Sequence, residues 1–206
     1  MKLITPLIAS LLLVACHSSN DWPYEDISIN SATFSGEGCP GDDDEYLISA
    51  DGKVITLLLS NYRAEAGLGT GSSMSRVTCN MAISLNVPAG YRAMLLDADF
   101  RGNVTLSDEA AVAEFKREYF FADGNSPVMT DRWDGVFENK SILINDALEE
   151  EGGRLSECGK DVILRSNTSL YVSTDEDADT SEIAIDSLDF KGRAQFDYHL
   201  DYVVCD

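Results

Sequence analysis

Arg76-Val77-Thr78-Cys79-Asn80-Met81-Ala82-Ile83-Ser84-Leu85-Asn86-Val87 is the stretch that decides the fold. Every odd position from Val77 to Val87 is apolar or cysteine, and the even positions are polar or small. A side-chain period of two is that of a half-buried strand, with Cys79 on its inner face. The pattern repeats outward along the chain. Met94, Leu96, Ala98, Phe100, Val104 and Leu106 read as the inner face of the next strand, with Asp97, Asp99 and Arg101 on the polar face. Gly102 there reads as a bulge or bend. Ala111–Phe121 sets Ala111, Ala113, Phe115, Arg117, Tyr119 and Phe121 against Glu114, Lys116 and Glu118. The C-terminal run from Phe190 to Val204 alternates Phe196, Tyr198, Leu200 and Tyr202 with Asp197, His199 and Asp201. Shorter strands are expected at 27–34, 46–49, 54–60, 141–147, 162–173 and 182–188, separated by Gly-, Asp- and Ser-rich turns. The expected class is all-β: an antiparallel β-sandwich, or a flattened barrel, of about 8–10 strands.

The N-terminus is organised differently. Lys2 precedes an apolar run from Leu3 to Val14, which ends in Leu13-Val14-Ala15-Cys16. A basic start, a short apolar core and small residues at the cut make a secretory leader, too short for a stable bilayer span. Leu-Val-Ala-Cys resembles the lipobox of bacterial lipoproteins. That resemblance implies acylation of Cys16, attachment to a membrane through the lipid, and an envelope location. His17 in the following position, rather than Asp, resembles outer-membrane delivery. The chain then divides into a leader (1–15), a lipidated cysteine and tether (16–26) and one β domain (27–206).

Charge and cysteines narrow the partners. There are 36 acidic and 15 basic residues, and Lys2 leaves with the leader. Such a surface repels phosphate backbones and excludes nucleic acid as a partner. It also repels anionic headgroups, so the acyl chain and not a basic patch would hold the protein to a membrane. Beyond Cys16, the remaining cysteines are Cys39, Cys79, Cys158 and Cys205. An even set in an exported chain, without a Cys-x-x-Cys pair, reads as two disulfides. Three connectivities are possible, and pairing of sequence neighbours, Cys39–Cys79 and Cys158–Cys205, is the expected one.

A family resemblance rests on a series of short motifs: Thr33-Phe34-Ser35-Gly36-Glu37-Gly38-Cys39-Pro40, Arg76-Val77-Thr78-Cys79, Val87-Pro88-Ala89-Gly90-Tyr91, Asp99-Phe100-Arg101-Gly102, Glu118-Tyr119-Phe120-Phe121, Cys158-Gly159 and Tyr198-His199-Leu200 before Cys205. In this order the chain resembles the secreted proteins grouped as domain of unknown function 4360, from about Ile27 to Cys205. The resemblance implies a secreted, disulfide-bonded, mostly β domain and no established activity. The segment after Cys39-Pro40, usually Gly/Ser-rich in that family, is here Gly41-Asp42-Asp43-Asp44-Glu45.

Chemistry-bearing residues are few. Of two histidines, His17 lies in the tether, so His199 is the one plausible base, flanked on its strand face by Asp197 and Asp201. Two carboxylates can raise its pKa or help hold a metal, although a solvent-facing histidine is the plainer reading. No Gly-x-Ser-x-Gly elbow and no P-loop lysine occur, and Gly67–Gly71 reads as a mobile hairpin loop. No catalytic residue is assigned and no cofactor motif is read. Asp175, Asp177 and Asp179 at alternate positions, followed by Glu182, offer hard oxygen ligands suited to calcium, although a solvated charge run has the same pattern. Trp133, in the polar run Thr130-Asp131-Arg132-Trp133-Asp134-Gly135, is the candidate binding aromatic, with core packing as the alternative. Asp97, Asp99 and Arg101 read as a surface salt-bridge row. The sequons at Asn103, Asn139 and Asn167 carry little weight beside a bacterial lipobox. The preferred function is a non-catalytic binding module for an envelope or extracellular glycan or protein. A structural or protective envelope lipoprotein comes second, and a hydrolase using carboxylates or His199 third.

Overall fold

The computed structural model describes residues 28–39, 45–50, 53–59, 61–121, 128–148, 154–185 and 194–205. The leader, Cys16, the tether and Asp42–Asp44 lie outside them. The described residues form strands β1 (Ser28–Ser35), β2 (Glu45–Ile48), β3 (Val54–Leu59), β4 (Arg63–Ala66), β5 (Met74–Asn86), β6 (Tyr91–Leu106) and β7 (Val112–Phe121). They continue with β8 (Met129–Asp134), β9 (Phe137–Ala147), β10 (Arg154–Leu155), β11 (Val162–Ser173), β12 (Ser181–Ala184) and β13 (Ala194–Val204). These thirteen exceed the eight to ten read from the sequence because β4, β8 and β10 are only two to six residues long. Segments that short carry too few alternations to register as a period.

A five-stranded sheet runs β1-β5-β11-β7-β8, and a larger one runs β2-β3-β13-β6-β12-β4. Two further strands, β9 and β10, also pair with β6. Phe100 is in register with Phe196 on β13 and with Ile144 on β9, so β6 is an interior strand paired along both edges. Every pairing is antiparallel. The two sheets are open and pack as a sandwich, not as a closed barrel.

One hydrophobic cluster lies between them. Met81, Ile83 and Leu85 of β5 enter it as the period requires, with Phe115, Leu164, Leu170 and Leu200 from other strands. At its centre Phe100 meets Phe115 edge-on at 5.1 Å between centroids, and Tyr119 meets Tyr198 edge-on at 6.1 Å. Buried tyrosine hydroxyls need partners, and they find them across the sandwich. Tyr198 on the large sheet bonds Ser166 on the small one at 2.8 Å, and Tyr62 bonds Thr168 at 2.8 Å. The disulfides Cys39–Cys79 and Cys158–Cys205 form as expected.

The phase of β6 departs from the sequence reading. Met94 and Leu96 are half-buried, while Ala93 and Leu95 are fully buried. The cause is a bulge: His199 is in register with Asp97 but Leu200 with Leu95, which leaves Leu96 as the extra residue. An inserted residue flips the faces on either side of it, so inward positions run Ala93, Leu95, then Ala98 and Phe100. Gly102, expected to mark the irregularity, is instead regular and buried. A Cβ there would meet the Ala184 carbonyl oxygen at 2.1 Å and the Ile185 Cα at 2.9 Å. Gly102→Ala is expected to push β12 off β6 and cost at least about 1–3 kcal/mol, read by urea unfolding. Stability equal to wild type would show that β12 shifts freely.

Candidate functional site on the outer face of the large sheet

The bulge at Leu96 has a consequence for chemistry. With Ala98 and Phe100 turned inward, Asp97 and Asp99 point out of the sandwich beside His199 of β13. His199 Nδ1 contacts Asp97 Oδ1 directly and lies 4.0 Å from Asp99 Oδ2. Across the other edge of β6, Asn145 of β9 is in register with Asp99 and donates its Nδ2–H to Asp99 Oδ1 at 2.7 Å. The three ligating side chains are each about one-third exposed. Further along β13, Asp201 pairs with Lys53 at 2.7 Å. Burial acts to raise the Asp201 pKa, but the Lys53 bond and charge outweigh it and hold the carboxyl below its ordinary value.

Adjoining this cluster, a shallow groove of about 210 Å³ runs between β6 and β9, lined by Asp99, Arg101, Leu143 and Asn145 with the backbone of Phe100 and Ile144. Leu143 is 77% exposed, the most exposed large apolar residue described. The groove thus combines a carboxylate, an amide, a guanidinium and an apolar side chain on two neighbouring cross-strand pairs, Asp99 with Asn145 and Arg101 with Leu143. Strands hold such groups more rigidly than loops do.

The other residues singled out by sequence fall elsewhere. Among the described residues, Asp97, Asp99 and His199 are the one group of three His, Cys, Asp or Glu whose ligand atoms gather. The proposed calcium ligands Asp175, Asp177, Asp179 and Glu182 do not converge. Glu182 lies on β12 and faces Arg63 at 3.5 Å. The loop's backbone carbonyls are taken by protein donors: Leu68 N–H bonds Ala178 O at 2.8 Å, and the Ser107 hydroxyl bonds Asp179 O. The glycine-rich loop, read as a mobile hairpin, is therefore docked on this acidic loop; Thr180 also donates to Leu68 O at 2.6 Å. Thr174 donates to Asp108 at 2.6 Å and anchors the segment from the other side. That bond and neighbouring backbone amides hold the Asp108 carboxyl below its ordinary pKa.

Trp133 is not in a turn. It lies on edge strand β8 in register with Ala113, half-buried against the core. Its strand was masked in the sequence because the inward position before it is Asp131, which breaks the apolar alternation. Asp131 is there to bond Arg117 at 2.5 Å. The packing alternative for Trp133 is the one the structure shows. Of His199's expected neighbours, Asp201 is engaged by Lys53, and the side chain of Asp197 lies outside the description. The histidine's actual partners, Asp97 and Asp99, come from a strand about half the chain away.

An antiparallel two-sheet sandwich that carries a polar cluster on the outer face of one sheet defines the class of protein. Within that class, the chain belongs to the family described as Domain of unknown function (DUF4360), whose model matches residues 25–205. An uncharacterized secreted protein of Arthroderma benhamiae is 26% identical over 153 residues, covering 74% of this chain and 62% of that protein. The chain thus spans less than two thirds of that relative's length. Among solved structures, TmCBM61 in complex with β-1,4-galactotriose aligns at a TM-score of 0.29 and 9% identity, over 86% of this chain and 92% of that one. The enzymatically active domain of bacteriophage CBA120 tailspike protein 4 aligns at 0.20 and 11% identity, over 87% and 19%. Structural similarity at these levels has no bearing on activity.

Proposed function

We propose that this protein is an exported, non-catalytic binding domain that takes a neutral or basic glycan in the groove between β6 and β9. The observation that carries the reading is the groove itself. Asp99, Asn145 and Arg101 offer acceptors and donors at sheet spacing, suited to adjacent hydroxyls, and Leu143 supplies an apolar contact for a sugar ring's C–H face. The net charge of −21 disfavours anionic polymers and leaves neutral or amino sugars as the ligand class. His199 is paired with Asp97 rather than with a hydroxyl or thiol nucleophile, which supports binding over hydrolysis.

Export is supported by the leader-like residues 1–15, by two formed disulfides, which persist in oxidising compartments, and by the secreted description of the Arthroderma relative. Cys16 is the proposed attachment point to a bacterial outer membrane; mass spectrometry of the mature N-terminus would show the acyl chains or their absence.

The glycan reading is tested on an array of neutral, amino and acidic glycans, using oxidised protein with Cys16→Ser. Selective, saturable capture is expected, weakened about tenfold or more by Arg101→Ala or Leu143→Ser, both exposed positions whose loss leaves the fold intact. If no glycan is retained, a structural envelope role is favoured; if both variants bind like wild type, the groove is not the site.

A further inference from the structure

We propose that Asp97, Asp99 and His199 form a binding site for one divalent first-row transition-metal ion, zinc being the best fit to the donors. This goes beyond the glycan reading and does not depend on it. Three ligand atoms, one imidazole nitrogen and two carboxylate oxygens, lie within 4.8 Å of one another. Ligands at zinc distances of about 2.0–2.1 Å in tetrahedral geometry sit about 3.3 Å apart, so side-chain rotation alone brings the set to bonding distance. The mixed nitrogen and oxygen set selects zinc or its neighbours over magnesium and calcium, which prefer oxygen alone.

Two features mark the cluster as built rather than incidental. The bulge at Leu96 lets Ala93 and Leu95 enter the core on one side of it while Asp97 and Asp99, on the other, stay on the outer face beside His199. Bulges of this kind re-aim side chains at functional sites. Asn145 then fixes Asp99 through its far oxygen, Oδ1, leaving Oδ2 toward His199. An outer hydrogen bond that orients a ligating group is the usual support of a metal site. The charge also fits: two carboxylates beside one imidazole nitrogen bring two negative charges to a divalent ion. Three protein ligands leave at least one position open, beside the groove, for water or for a bound molecule's oxygen.

The test is calorimetric titration of the oxidised, Cys16→Ser protein with zinc chloride, and separately with calcium chloride. One zinc ion per chain is expected, with little heat from calcium. His199→Gln and Asp97→Asn should each weaken zinc about tenfold or more, and Asn145→Ala, as a positioning change, by about tenfold. His17→Gln should leave the affinity unchanged, and thermal melts of each variant report retention of the fold. Asn145→Gln, which keeps an amide donor for Asp99, should weaken zinc less than Asn145→Ala does and so separates orientation of Asp99 from mere folding. The proposal falls if wild type binds no zinc, if His199→Gln and Asp97→Asn bind as wild type does, or if His17→Gln alone abolishes binding. In each of those cases the histidine and Asp97 are an ordinary surface ion pair.

Discussion

Asp146→Asn is expected to lower the unfolding free energy by about 3 kcal/mol, because it removes the buried one of the two carboxylates that Arg117 bonds and leaves the guanidinium only the half-exposed Asp131. Arg117 projects from β7 of the small sheet, 2% exposed, and Asp146 from β9 of the large one, 7% exposed. Arg117 donates through Nε to Asp146 Oδ2 at 2.7 Å and through Nη2 to Oδ1 at 2.9 Å, a two-pronged bond across the core. Tyr119 donates its hydroxyl to the same carboxylate at 2.6 Å, and Arg117 also bonds the Phe115 carbonyl at 3.0 Å. Burial and the adjacent Asp146 charge both push the Tyr119 phenol well above its ordinary pKa, so it remains a donor. The amide of asparagine would turn an N–H group toward these donors and remove the charge they answer. Urea unfolding measures the loss. The double change Arg117→Met with Asp146→Leu is expected to recover only part of it, since packed apolar side chains often replace a buried pair at no cost but here take away the acceptor of the Tyr119 hydroxyl. An Asp146→Asn protein within about 1 kcal/mol of wild type would mean that water reaches the pair. The exposed pair Arg132–Asp134, at 2.8 Å, serves as the comparison, where loss of the carboxylate should cost about 0–1 kcal/mol.

The second large effect concerns the cross-links. Replacing Cys39 and Cys79 together by alanine is expected to cost about 4 kcal/mol from chain entropy, for a sequence separation of 40. The fully buried Cys79 leaves a small cavity in addition, so this pair should cost more than the other. Cys158 and Cys205, separated by 47 residues, tie the end of β13 beside the turn where Cys205 N–H bonds Gly90 O at 2.8 Å and Gly159 N–H bonds Tyr91 O at 2.7 Å. Cys158 is exposed and Cys205 half-buried, so their removal should show the entropic loss with little cavity contribution. In thermal melts each double change should lower Tm by roughly 8–16 °C for a domain of this size, with Cys39/Cys79 the larger. Equal losses would show that the Cys79 site closes up; a Tm unchanged by either pair would place the cross-link's effect outside the equilibrium altogether.

The strands legible in the sequence are those whose inner face is apolar without interruption. β5 and β7 emerged with their faces correct, including Arg117 on the inner side of β7, although nothing local announced what it would bond; β11 emerged with its span alone. β6 emerged with half its face inverted, because a period of two carried through Leu96 assumes that no residue is inserted. The bulge depends on how β13 and β9 pair with β6, which no window of β6 contains. β8 was hidden by Asp131, an inward carboxylate that makes sense only once Arg117 is seen opposite. The same reason left Trp133 reading as an aromatic of a polar, turn-rich run, whereas it packs on the flank of the core, the plainer of its two readings.

The candidate site divides along the same line. His199 stood out because it is the one histidine beyond the tether, on a polar strand face, and Asp97 and Asp99 stood out as a polar row two residues apart. Their meeting did not, since the residues lie about a hundred positions apart and the histidine's sequence neighbours Asp197 and Asp201 were the obvious partners. Side-chain alternation and the cysteine count are local properties of the chain, and they were enough to specify an all-β domain, sandwich or flattened barrel, with two disulfides and an inner face for its longest alternating strands. Strand order, register and the placement of a bulge arise from pairing over long separations, where one residue of slip exchanges inside for outside. The tertiary structure alone therefore joined Asp97, Asp99, His199 and Asn145 into one cluster, and sealed Arg117 with Asp146 between the sheets.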